Sequence, residues 1–137
     1  MNIHTTSDSI TIGIIIAIVI VVATVARGFI FGPGGKLARE REARARELEI
    51  SIRMGTGLDV IRDFNELAQV YLEMNRKHDA ESCLQKALAL AESQYGINDP
   101  ILLPILENQT KVLSSMKRDL EAGNIKKRIK EIKARSA

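Results

Sequence analysis

Aromatic and sulfur-bearing side chains are scarce in this chain. Its 137 residues include no Trp, two Tyr, three Phe and a single Cys. One cysteine excludes a disulfide-stapled secreted domain. So few rings leave little on which bases could stack, which weakens a single-stranded nucleic-acid reading. The two histidines, His4 and His78, stand far apart, and Cys83 follows His78 by five residues, off its helical face. Neither a metal-ligand set nor a nucleophile–base pair can be assembled from them. The sequence therefore predicts no catalysis, no metal and no cofactor. At this length the chain is also too short for a multidomain enzyme or a polytopic transporter.

What the chain does have is one long apolar run. Of the 17 residues from Ile10 to Ala26, 14 are apolar and none is charged. An all-round apolar helix of about 20 residues crosses a hydrocarbon core of about 30 Å. The expectation is a short N-terminal tail (1–9) followed by a transmembrane helix over 10–31, with Ile10, Ile14, Ile18, Val22 and Ala26 along the anchor. A cleaved signal peptide is disfavoured because no Lys or Arg precedes the run. Positive charge follows it instead, at Arg27, Lys36, Arg39, Arg41, Arg44, Arg46 and Arg53. By the positive-inside rule this predicts a single-pass protein with its N-terminus outside and its C-terminal domain cytoplasmic. Lipid would be a partner through the anchor, and the small pair Gly13 and Ala17 leaves room for a homo-oligomer.

Residues 32–56 read as a glycine hinge and a charged juxtamembrane helix. Gly32-Pro33-Gly34-Gly35-Lys36 is not a phosphate loop, because Ile30 replaces the first Gly and Leu37 the hydroxyl residue. In the following stretch Glu40 and Arg44, Glu42 and Arg46, and Glu49 and Arg53 are spaced i, i+4 in the favourable order. The expectation is a solvated linker helix.

From Gly57 the pattern becomes amphipathic. Leu58, Ile61, Phe64, Leu67, Ala68, Tyr71 and Leu72 follow helical spacing, Asn75-Arg76-Lys77-His78 breaks it, and Ala80, Cys83, Leu84, Ala87, Leu88 and Ala91 resume it. Two helices with a short turn form an antiparallel hairpin. Phe64, Leu67, Ala68, Tyr71, Ala80, Leu84 and Ala87 set large and small residues in an order that resembles the tetratricopeptide repeat, a helix–turn–helix unit. A degenerate second copy follows 42 residues later: Leu106 matches Phe64, Leu113 matches Tyr71 and Ala122 matches Ala80. Gln109, Thr110 and Lys126 depart from the pattern, while Ile125, Ile129 and Ile132 keep one apolar stripe. With Asp99-Pro100 between the copies, the spacing is similar to the kinesin-light-chain type of repeat. The predicted fold class is all-α: a transmembrane helix, a charged linker helix, and two tetratricopeptide-like hairpins within 57–137.

Two hairpins are fewer than the three or so that such a stack normally needs. The linker helix, a second copy or a partner protein must cover the remaining face. The resemblance implies a protein-binding groove lined by the first helices, here Arg62, Asn65, Gln69, Leu72 and Glu73. Asn108 matches a further Asn of the repeats that grip chaperone tails, but no cation is found to pair with a carboxylate, which argues against that ligand.

Charge divides the domain. Residues 57–116 carry a net charge of −4, and residues 117–137 a net charge of +5. Lys126, Lys127, Arg128, Lys130, Lys133 and Arg135 form a basic tail surface around the Ile stripe, suited to anionic lipid or an acidic partner, or to a solvated terminal helix. No base-reading motif accompanies this local charge, so nucleic acid is not expected. The function expected is a single-pass adaptor or accessory subunit of a membrane complex, with other subunits as partners. The alternative is an organelle-surface receptor for amphipathic targeting peptides.

Overall fold

A computed structural model of the chain describes residues 12–24 and 33–136, and every regular element among them is helical. Residues 12–24 belong to α1. The rest are α2 (Pro33–Met54), α3 (Leu58–Glu73), α4 (Lys77–Tyr95), a single 3-10 turn (Pro100–Leu102), α5 (Leu103–Ser115) and α6 (Asp119–Ser136). The chain divides into one unit ending at Glu40 and a second from Arg41 onward.

The first unit corrects the membrane expectation. Among the described residues no helix is long and apolar enough to cross a membrane. The transmembrane helix expected over 10–31 is therefore not found among the described residues. Ile14, Ile18 and Val22 are exposed on α1, whereas Ile10 and Ala26 lie outside the described residues. The hinge also changes, because residues 33–36 form the first turn of α2. Pro33 fits there, since the first helical position needs no N–H donor and favours a fixed φ.

In the second unit the helices run antiparallel in succession. From Arg41 onward α2 lies along α3: Arg41 pairs with Glu73 at 3.0 Å, Arg44 with Glu66, and the Ser51 hydroxyl donates to Asp63 at 2.5 Å. The connection is tight. A Cβ at Gly55 would stand 2.9 Å from the Ser51 carbonyl oxygen, and Gly57 has a φ of +64°. Ala45 and Leu48 are buried and Ile52 is half-buried against the core.

Two further turns are copies of one another. After α3, Asn75 takes a φ of 60°, its N–H bonds Leu72 O at 3.0 Å, and the Arg76 N–H bonds Tyr71 O at 2.8 Å. After α5, Lys117 takes a φ of 60°, its N–H bonds Ser114 O at 3.0 Å, and the Arg118 N–H bonds Leu113 O at 2.9 Å. Both are Schellman closures, which satisfy the last carbonyls of a helix. Arg76 then pairs with Asp79, and Arg118 with Glu121, each three residues on. The offset is 42 residues at every position, so α3–α4 and α5–α6 are two versions of one hairpin.

The core lies between these hairpins. Ala80, Ala87 and Ala91 are fully buried, as are Leu84, Leu102, Leu106 and Ile132. Small residues bring the helices close, and the branched ones fill the space between. From Arg41 onward α2 adds Ala45, Leu48 and Ile52 to the same core. At the other end α6 buries Ala122, Ile129 and Ile132 and leaves Lys126, Lys127 and Lys130 exposed.

Candidate functional site

A cleft of about 180 Å³ opens where α3 and α5 run side by side. It is lined by Ala68, Gln69, Leu72 and Glu73 of α3, Leu84 of α4, and Asn108, Lys111 and Val112 of α5. Helical spacing explains the lining. Ala68 and Leu72, like Asn108 and Val112, stand four apart and share a face. The apolar floor is Ala68, Leu72, Leu84 and Val112, and the rim is polar.

Asn108 organises that rim. It is only 7% exposed, and a buried amide needs its partners. Its Nδ2 donates to Asn65 Oδ1 at 2.9 Å, tying α5 to α3, and its Oδ1 accepts from Lys111 Nζ at 3.1 Å. The sequence Asn108-Gln109-Thr110 fits a glycosylation pattern, but this amide is committed inside the fold. Lys111 thus brings a cation to the cleft, which corrects the expectation of none. Opposite it stands Glu73, bridged to Arg41.

Of the five groove residues expected, Gln69, Leu72 and Glu73 line the cleft, and Asn65 acts through Asn108. Arg62 does not line it; it is exposed and lies 3.7 Å from Asp59. Lys111 and Val112 were missed. Lys111 stands 42 residues after Gln69, so carrying that position into the second copy would have found it.

The basic tail is partly committed to holding α6 in place. Arg128 pairs with Glu92 at 2.5 Å and donates to Ile97 O at 2.8 Å, and Lys133 pairs with Glu107 at 3.0 Å. Lys126, Lys127, Lys130 and Arg135 are exposed. At the head of α6, Arg118 bridges Glu121 and Glu81, each at 2.6 Å. Its hydrogen bonds raise its own pKa and hold the Glu121 carboxyl below its ordinary value.

A second cleft, of about 310 Å³, lies between α2, α3 and α4, with Ile52, Phe64, Leu67, Tyr71 and Cys83 among its lining residues. The Tyr71 hydroxyl donates to Glu49 at 2.5 Å. Burial, then that hydrogen bond and the carboxylate charge, push Tyr71 up to about 12. Burial also raises the Cys83 thiol, which keeps it protonated and a poor nucleophile. Among the described residues no group of His, Cys, Asp and Glu is arranged to hold a metal ion. No protein family, curated protein or solved structure matches the chain.

Proposed function

We propose that the chain is a protein-binding adaptor or accessory subunit whose α3–α5 cleft receives a segment of a partner protein, in the manner of the tetratricopeptide scaffolds it resembles. The observation that carries this reading is the cleft itself. Its apolar floor can bury a side chain, and its rim sets Gln69, Asn108 and Lys111 around that floor. Concave sites with few convergent polar groups are where ligands settle. The repeated hairpin supports the same reading, because it brings two equivalent helices side by side with their polar residues facing one groove. A receptor for basic targeting peptides is less well served here. Lys111 stands at the rim, and Glu73 is already bridged to Arg41.

Photocrosslinking in cells tests the proposal. A photoreactive residue at Gln69 should yield discrete protein adducts, whereas one at the exposed Gln85 on α4 should not. Leu72→Glu should abolish the adducts. Equal patterns from both positions, or adducts indifferent to Leu72→Glu, would overturn it.

A further inference from the structure

We propose that the α2-facing side of α3 is a second docking surface, that its occupant is an arginine-bearing amphipathic helix of a partner protein, and that α2 covers it as a displaceable strap. The surface is defined by what α2 puts on it. Asp63, Glu66 and Glu73 form an acidic row along α3, met by Ser51, Arg44 and Arg41. Tyr71 adds a hydroxyl donor, which Glu49 takes. The apolar part of the contact is small: from Arg41 onward only Ala45 and Leu48 of α2 are buried, with Ile52 half-buried. α2 is thus held by a small apolar contact and by ion pairs that are partly or largely exposed, each a weak restraint. The Arg44 side chain is 62% exposed and that of Glu73 58%. Exposed pairs exchange with water and are screened by salt.

α2 also fits its seat incompletely. The cleft of about 310 Å³ remains beneath its C-terminal half, over Phe64, Leu67 and Cys83. A helix with the same arginine spacing and a bulkier residue at the place of Ile52 would fill space that α2 leaves open. Gly55 and Gly57 flank the point where α2 would swing away, and the φ of +64° at Gly57 shows a backbone outside the helical range. Release would also free Glu73 from Arg41. Because Glu73 lines the α3–α5 cleft as well, lifting the strap would place an unpaired carboxylate at that cleft and couple the two surfaces.

The test uses the full chain and a labelled peptide of residues 41–54 carrying Ile52→Phe. Arg41→Glu with Arg44→Glu in the chain unlatches the strap, and removing an internal competitor should tighten peptide binding about tenfold or more. Glu66→Lys with Glu73→Lys should abolish it. Cys83, the sole cysteine, should be alkylated faster in the unlatched chain and protected again by the peptide. Restoring one bridge in reverse, Arg44→Glu with Glu66→Arg, should return slow alkylation. Cys83 alkylation in the unaltered chain at rising salt needs no substitution, and its acceleration supports the strap. A flat rate, peptide binding to neither chain, or binding indifferent to Glu66→Lys and Glu73→Lys overturns the proposal.

Discussion

Gln109 stands in α5 where the first hairpin carries Leu67, and its Oε1 is buried with no hydrogen-bond partner. Leaving a buried acceptor unpaired costs about 1–3 kcal/mol. Gln109→Leu removes the orphan and restores the apolar residue that the repeat pattern expects. We expect it to stabilise the fold by about 1 kcal/mol, read as a higher urea midpoint with an unchanged slope; an unchanged or lower midpoint would show that the amide has a compensating role. Tyr71 offers a test by titration. In a Tyr95→Phe chain the remaining tyrosine should ionise near pH 12, and Glu49→Gln should move that midpoint down while burial keeps it above the ordinary value. The sign follows from the protonated form. A folded pKa raised above 10.0 gives stability that is fully present below that value and is lost as pH rises through the folded pKa. Ultraviolet tyrosinate absorbance reads both quantities.

Helix ends carry the clearest mark of the 42-residue correspondence between the two hairpins. Asn75 and Lys117 both adopt a φ of 60°, but Asn tolerates the left-handed region better than Lys does. Replacing either with Gly removes the Cβ penalty, so Lys117→Gly should stabilise by about 1 kcal/mol and Asn75→Gly by less. Thermal denaturation of the two variants side by side checks the order, and equal shifts would contradict it. The same elements show what the residues alone could disclose. Apolar spacing marked α3 and α4, and Glu-to-Arg pairs marked α2, because both signals are local to one helix. The turn at Lys117 was hidden, since nothing in Met116-Lys117-Arg118 forces a left-handed residue; only the 42-residue offset from Asn75 points to it. The apolar run from Ile10 set the expectation of a spanning helix, yet among the described residues no helix is long and apolar enough to cross a membrane. In the cleft, Gln69, Leu72 and Glu73 could be placed by likeness, whereas Lys111 and Val112 depend on which face of α5 meets α3. Helix docking decides that face, and a single helical stripe does not encode it. Arg62 lies off this cleft, exposed at the surface beside Asp59.

At the scale of the unit from Arg41 onward, charge is arranged by position in the stack. The inner helices supply the acids Glu66, Glu73, Glu81, Glu92 and Glu107; α2 supplies Arg41 and Arg44, the turn before α6 supplies Arg118, and α6 supplies Arg128 and Lys133 to meet them. The net charges of −4 over 57–116 and +5 over 117–137 therefore describe how the terminal helix is held, before they say anything about a ligand. The inner helices rest instead on fully buried apolar residues such as Leu84, Leu102 and Leu106, which salt does not weaken. Raising ionic strength should thus loosen the ends and spare the middle. Hydrogen exchange would show it as faster amide exchange in α6 and in α2 from Arg41 onward, with α4 and α5 unchanged. Acid should act on the same contacts, since Glu121 is held below its ordinary 4.5 by Arg118. A depressed carboxyl gives stability that is present above its unfolded pKa and is lost as pH falls through the folded one. Protection in the first turn of α6 should therefore decline below about pH 4.5, and Glu121→Gln should remove that decline. Uniform loss of protection across all five helices, in salt or in acid, would mean that the outer helices are held by packing alone and that the charge arrangement contributes nothing to their docking.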